Sequence, residues 1–191
     1  MKHINVSVFV PHAGCPHQCS FCNQRSISGA KSQPTAQDVR DAALVAMRSS
    51  PEGIKDGEIA FFGGSFTAID PDYRLALLKI AHAACETYGF AGIRCSTRPD
   101  AIDDERLTVL KQYGVTAIEL GAQSMDGEVL LLNRRGHTAK DVENTARLIR
   151  AYGFELGLQM MTGLPGDSDA KAMKTVERLL ALKPNTMRIY P

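Results

Sequence analysis

Three of the chain's five cysteines, Cys15, Cys19 and Cys22, stand within one short stretch, "PHAGCPHQCSFCNQRSISG", with the spacing C-x3-C-x2-C. The seven residue steps from first to last reach at most about 25 Å when extended, so a looped chain can bring three sulfurs onto one small centre. Three chemistries suit such a set. Iron–sulfur clusters are held by thiolates, normally four, and three would leave one iron open to a ligand that is not protein. A closed zinc site of Cys3His type would need His12 or His17 as its fourth ligand. Three unligated thiols would have no chemistry in common. The spacing is too tight for a disulfide framework, and the odd total argues for a reducing compartment.

The remaining candidates have plainer readings. Cys85 and Cys95 fall on a helix and a strand, where free cysteine behaves as a small buried hydrophobe. His82 is expected on a helix surface and His137 in a loop, while Met160 and Met161 on the fifth strand are expected to fill a barrel.

The elements that must position the cysteines follow from hydrophobic period. The alternating segment "INVSVFVP" precedes the cluster as a first strand, and "PTAQDVRDAALVAMRSS" follows with Val39, Ala43, Ala46 and Met47 on one helical face. Then "GEIAFFGG" begins a repeating alternation of strands ("GIRCST", "AIELGAQS", "LGLQMMTG", "TMRIYP") with helices ("PDYRLALLKIAHAACETYG", "DDERLTVLKQYG", "AKDVENTARLIRAYG", "DAKAMKTVERLLAL"). Six strands separated by five helical segments imply right-handed βαβ units and a parallel sheet. The endings "TYGF", "QYGV" and "AYGF" put Gly89, Gly114 and Gly153 where left-handed helix caps are wanted. The unusual residues, including Gly63-Gly64-Ser65, Ser96-Thr97-Arg98, Gln123-Ser124 and Gly163 to Gly166, follow strand C-termini, the edge that carries active sites in parallel α/β folds.

Composition bounds the rest. A length of 191 residues suits one core, and 22 basic against 21 acidic residues give no bulk attraction to nucleic acid. No apolar run approaches a membrane span, and the N-terminus lacks a secretion-signal pattern, so a cytoplasmic chain with no membrane partner is expected. The sixth strand finishes at Tyr190-Pro191 without a helix to cover it, which suggests a single core domain over residues 1–191 that is incomplete after strand six.

Taken with Phe21 before the last cysteine and a preceding strand, the C-x3-C-x2-C stretch resembles the signature of the radical SAM superfamily. "FFGGSFT" resembles its Gly-Gly motif, and "ELGAQSMDGEVLLLNRRGHT" and "TGLPGD" resemble its segments around strands four and five. Within the superfamily the resemblance is to the branch containing the elongator-complex catalytic subunit and oxygen-independent coproporphyrinogen oxidase. It implies an α/β fold, a partial parallel (β/α)6 barrel. It also implies a [4Fe–4S] cluster on Cys15, Cys19 and Cys22 whose open iron binds S-adenosylmethionine (SAM), an external one-electron reductant of flavodoxin or ferredoxin type, and reductive cleavage of SAM to a 5′-deoxyadenosyl radical. The resemblance carries SAM contacts onto Gly63, Gly64 and Ser65, onto Gln123, and onto Arg135, whose planar fork suits a carboxylate. It carries further contacts onto Ser96 and Gln159, where the coproporphyrinogen oxidases have Glu and Asp and this chain keeps neutral hydrogen-bonding groups. "STRPD" is closer to the elongator type, which implies a tRNA substrate. A porphyrin precursor and a non-catalytic zinc-stabilised binding module are the alternatives.

Overall fold

The computed structural model describes residues 4–11, 15, 19–22, 32–50 and 54–191. Its six strands, β1 (Ile4–Val10), β2 (Gly57–Gly63), β3 (Gly92–Thr97), β4 (Val115–Gln123), β5 (Glu155–Met161) and β6 (Thr186–Tyr190), form one sheet in sequence order. Every neighbouring pair is parallel. This is a half-barrel, the partial parallel (β/α)6 architecture expected of the alternating pattern.

The crossovers are carried by α1 (Ala36–Arg48), α2 (Pro71–Tyr88), α3 (Asp104–Gln112), α5 (Ala139–Ala151) and α6 (Asp169–Ala181). Their starts are written locally. Thr35 with Asp38 and Thr138 with Asp141 form capping boxes, and Asp70, Asp103 and Ser168 each accept a backbone N–H. Helix α2 ends on Gly89, which takes the left-handed conformation and returns its N–H to Cys85. A sixth helix, α4 (Gly127–Leu132), lies inside the "MDGEVLLLNRRG" stretch and was not among the five expected. At six residues it is too short for a hydrophobic period to reveal, and the bonds from Glu128 and Val129 N–H to the Asp126 carboxylate start it.

Alternate strand residues (Val6 and Val8, Ile59 and Phe61, Ile118 and Leu120, Leu156 and Leu158) pack with Leu77, Leu107, Val142, Ile149 and Leu179 of the helices in one apolar core. The Phe61 and Phe66 rings stack within it at 4.4 Å. Met160 belongs to this sheet–helix layer and is fully buried, so it does not fill the barrel as expected.

The other set of strand residues includes a buried charged group. Arg94 donates to Glu58 at 2.8 Å, Arg188 lies 2.8 Å from Glu119, and the Gln159 amide donates to Glu119 at 2.5 Å. Burying Glu58, Arg94 and Glu119 is tolerable because each has an opposite charge in contact.

Candidate active site

The strand C-termini bring the expected residues to one edge. Gly64 N–H donates to Val10 O at 2.8 Å, which lays the Gly-Gly turn against the end of β1, where the cysteine loop begins. Gly63 has φ +112°, and a Cβ there would lie 2.8 Å from Val10 O, so both the conformation and the approach require glycine. Ser65 then offers its backbone N–H to the Cys15 sulfur. Its hydroxyl is engaged elsewhere, bonded to Thr97 Oγ1 at 2.9 Å and accepting from Arg98 N–H at 3.3 Å. Crowding around the Cys15 sulfur raises the thiol pKa by desolvation, against the opposing charge of Arg98 and the Ser65 bond.

Cys19 is buried, Cys22 half-buried and Cys15 exposed, and none is in a disulfide. Among the described residues no three Cys, His, Asp or Glu side chains are gathered tightly enough to enclose one metal ion. His12 and His17, the fourth-ligand candidates for zinc, lie outside the described residues.

Arg135 is 5% exposed. Its Nη1 donates to Cys19 Sγ at 3.1 Å and its Nη2 to Gly121 O at 2.7 Å, and the guanidinium stands 5.7 Å from the Phe21 ring centroid. Gly121 makes the room: a Cβ there would meet Gln123 Nε2 at 3.1 Å and Arg135 Nη2 at 3.6 Å. Gln123 closes β4 at a bulge, where the register to β5 slips between Gly121 and Gln123, and its backbone is left-handed at φ 65°. A side-chain-bearing residue held there points to an imposed orientation.

The edge also carries buried polar atoms without a hydrogen-bond partner among the described residues: Ser96 Oγ, Gln123 Oε1, Arg98 Nη1, Arg135 Nε and His137 Nδ1. Such atoms are costly unless a ligand completes them. Arg135 has no carboxylate within ion-pair distance among the described residues, and an isolated buried charge is more costly still. A guanidinium that needs an anion, beside thiols that become anionic on ligation, with free hydroxyl, amide and N–H groups around it, fits a thiolate-held cluster and a zwitterionic ligand. Gln159 is the register partner of Gly121 and gives its amide to Glu119, the register partner of Ser96.

Three residues were missed. Arg98 is 4% exposed and bonds Asp100 through Nε and Nη2, both at 2.9 Å, while Nη2 also reaches Arg135 O at 2.6 Å. The Arg-x-Asp spacing in "STRPD" was a readable sign of that fork. Asn133 is fully buried and fastens the cysteine loop: its Oδ1 accepts from Ser20 Oγ at 2.5 Å, and its Nδ2 donates to Val129 O at 2.7 Å and Pro165 O at 3.0 Å. His137, expected as an ordinary loop residue, is buried, with a ring nitrogen 3.3 Å from Ala122 O. Burial, helped by the neighbouring Arg135 charge, lowers its pKa to about 4, so it is neutral and donates through Nε2.

The chain matches the Radical SAM superfamily over residues 9–179, and it belongs to that family of enzymes, which use a [4Fe–4S] cluster and SAM. It is 33% identical to a tRNA uridine(34) acetyltransferase of Methanocaldococcus infernus, an alignment covering 97% of this chain and 42% of that protein. The fold is shared with the archaeal Elp3 of the same organism lacking its N-terminus (TM-score 0.74, 20% identity, 99% of this chain and 45% of that one). It is shared too with Escherichia coli coproporphyrinogen III oxidase, a radical SAM enzyme (TM-score 0.65, 18% identity, 99% and 44%). Both kinds of protein stand in the one branch that the motifs resemble. The chain spans less than half the length of each of these relatives. No described helix is long and apolar enough to cross a membrane.

Proposed function

We propose that residues 1–191 act as the radical SAM core of a tRNA-modifying enzyme of elongator type, with Cys15, Cys19 and Cys22 as the cluster ligands. The observation that carries the cofactor reading is the buried Arg135 guanidinium, set on Cys19 with no carboxylate among the described residues to balance it. The similarity to a tRNA uridine(34) acetyltransferase supports the substrate class.

When bound, the cluster and SAM supply one-electron reductive chemistry at the SAM sulfonium, with the electron from a flavodoxin- or ferredoxin-like donor. The chain's own residues hold and orient. With no partner among the described residues, Arg135 Nε can donate to the SAM carboxylate, Gln123 Oε1 can accept, and Ser96 Oγ can do either. Gly63 and Gly64 let the backbone approach the ligand, and Ser65 contributes its N–H on Cys15 rather than its hydroxyl. Gln159 would act through Glu119. Fixing donors and acceptors before the ligand arrives lowers the orientational cost of the reaction.

Anaerobically reconstituted protein, reduced with dithionite and given SAM, is expected to release 5′-deoxyadenosine, with a faster release when tRNA is added. Protein that takes up stoichiometric zinc and no iron would refute the cofactor reading. A rate indifferent to tRNA would refute the substrate reading alone.

A further inference from the structure

Two guanidiniums crowd the cysteine loop, and the expected SAM contacts do not use both. Arg135 meets the Cys19 sulfur directly at 3.1 Å, from a position 5% exposed. Arg98 packs behind it, 4% exposed, with Nη2 on the Arg135 carbonyl at 2.6 Å. The charge of Arg98 acts on both Cys15 and Cys19. The two differ in one respect that physical chemistry weighs heavily. Arg98 is neutralised by a two-point bond to Asp100, whereas no carboxylate of the described residues pairs with Arg135.

Hydrogen bonds to cluster sulfurs and nearby positive charge favour the reduced, more negative state of an iron–sulfur cluster. Arg135 provides both at one thiol. Arg98 provides only a charge, and Asp100 cancels much of it.

We propose that Arg135, through its N–H bond to the Cys19 sulfur, raises the midpoint potential of the cluster, with Arg98 as a weaker contributor in the same direction. The inference rests on the cluster reading above and assigns Arg135 a role at the thiolate besides any contact with SAM. Both are positioning residues, acting on the cluster through its ligand. The step concerned is the gain of one electron by the oxidised cluster from an external reductant, with no bond formed or broken.

The test is a potentiometric titration of the reconstituted, SAM-free protein monitored by electron paramagnetic resonance, so that SAM binding does not enter. At the wild-type midpoint, Arg135→Met is expected to lower the ratio of reduced to oxidised cluster about tenfold, which is 59 mV for a one-electron couple. Arg98→Met is expected to lower it by less. Arg134→Gln, which removes an exposed neighbouring charge, should leave it unchanged. A ratio for Arg135→Met within twofold of wild type overturns the proposal, as does a drop of equal size in Arg134→Gln. Should Arg135→Met fail to assemble a cluster, the wild type labelled with 15N in its arginine guanidinium groups decides. Pulsed resonance of its reduced cluster is expected to show a coupling to arginine nitrogen, and its absence overturns the proposal. Wild type that binds no iron overturns both this inference and the reading beneath it.

Discussion

His137 allows a prediction whose magnitude comes from the fold. The imidazole is 6% exposed, bonded through Nε2 to Ala122 O, and faced by Arg135, Arg98 and Asp100. Burial first, and then the Arg135 charge, lowers its pKa from 6.5 to about 4. The unfolded chain therefore binds a proton in a range where the folded chain does not, and stability must fall as pH falls through that range. Worked through the linkage relation, acidifying from pH 7 to pH 4.5 removes about 2 to 3 kcal/mol from the unfolding free energy. The carboxylates held low by backbone N–H bonds at helix starts, Asp38, Asp126 and Asp141, act in another window. Their stabilisation is present above the unfolded carboxylate value and is lost only as pH falls through their lower folded values. Urea denaturation at several pH values between 7 and 4.5, on wild type and His137→Gln, isolates the imidazole. The wild-type free energy is expected to drop by the stated amount and the variant's to stay nearly level. Parallel curves for the two proteins would refute the reasoning, whatever the absolute stability of the variant.

Three further outcomes are expected. Alanine at Cys15, Cys19 or Cys22 should abolish cluster reconstitution, measured as bound iron and sulfide, whereas Cys85→Ala and Cys95→Ala should retain it. Burial pushes those two thiols up to about 11 and about 12, making them poor thiolate ligands. Gly63→Ala should lose about 1–3 kcal/mol of stability in denaturant titration, because φ +112° is unfavourable for alanine and its Cβ would press on Val10 O. Asn133→Ala removes the side-chain bonds to Ser20, Val129 O and Pro165 O, while Val129 O keeps the backbone N–H of residue 133, at a cost of about 1 kcal/mol. Its cluster should be lost to a chelator faster than that of wild type, and equal loss rates would show that Asn133 does not fasten the loop.

What the sequence by itself determined is whatever depends on neighbours in the chain. The strand and helix alternation was legible because side-chain period and cap chemistry are local: Thr35 with Asp38 starts a helix wherever it is put, and "INVSVFV" has one apolar face in any sheet. The three-cysteine spacing was legible for the same reason. Helix α4 was not, because six residues held by one aspartate carry too little pattern.

Only the tertiary structure decided the environment of each polar group. In "NRRGHT" the resemblance singles out Arg135 alone, yet Asn133 and His137 are buried with it and Arg134 is exposed. Which of them turns inward depends on where β4 ends, on the space left by Gly121, and on the cysteine loop arriving from more than a hundred residues away. Gln159, a candidate SAM contact, has its amide fixed by Glu119 on the neighbouring strand, a partner that its own segment does not reveal. Burial and partnership across strands are sums over the whole packed chain, and it is these sums that set the free donors, the shifted pKa values and the charge at the thiols.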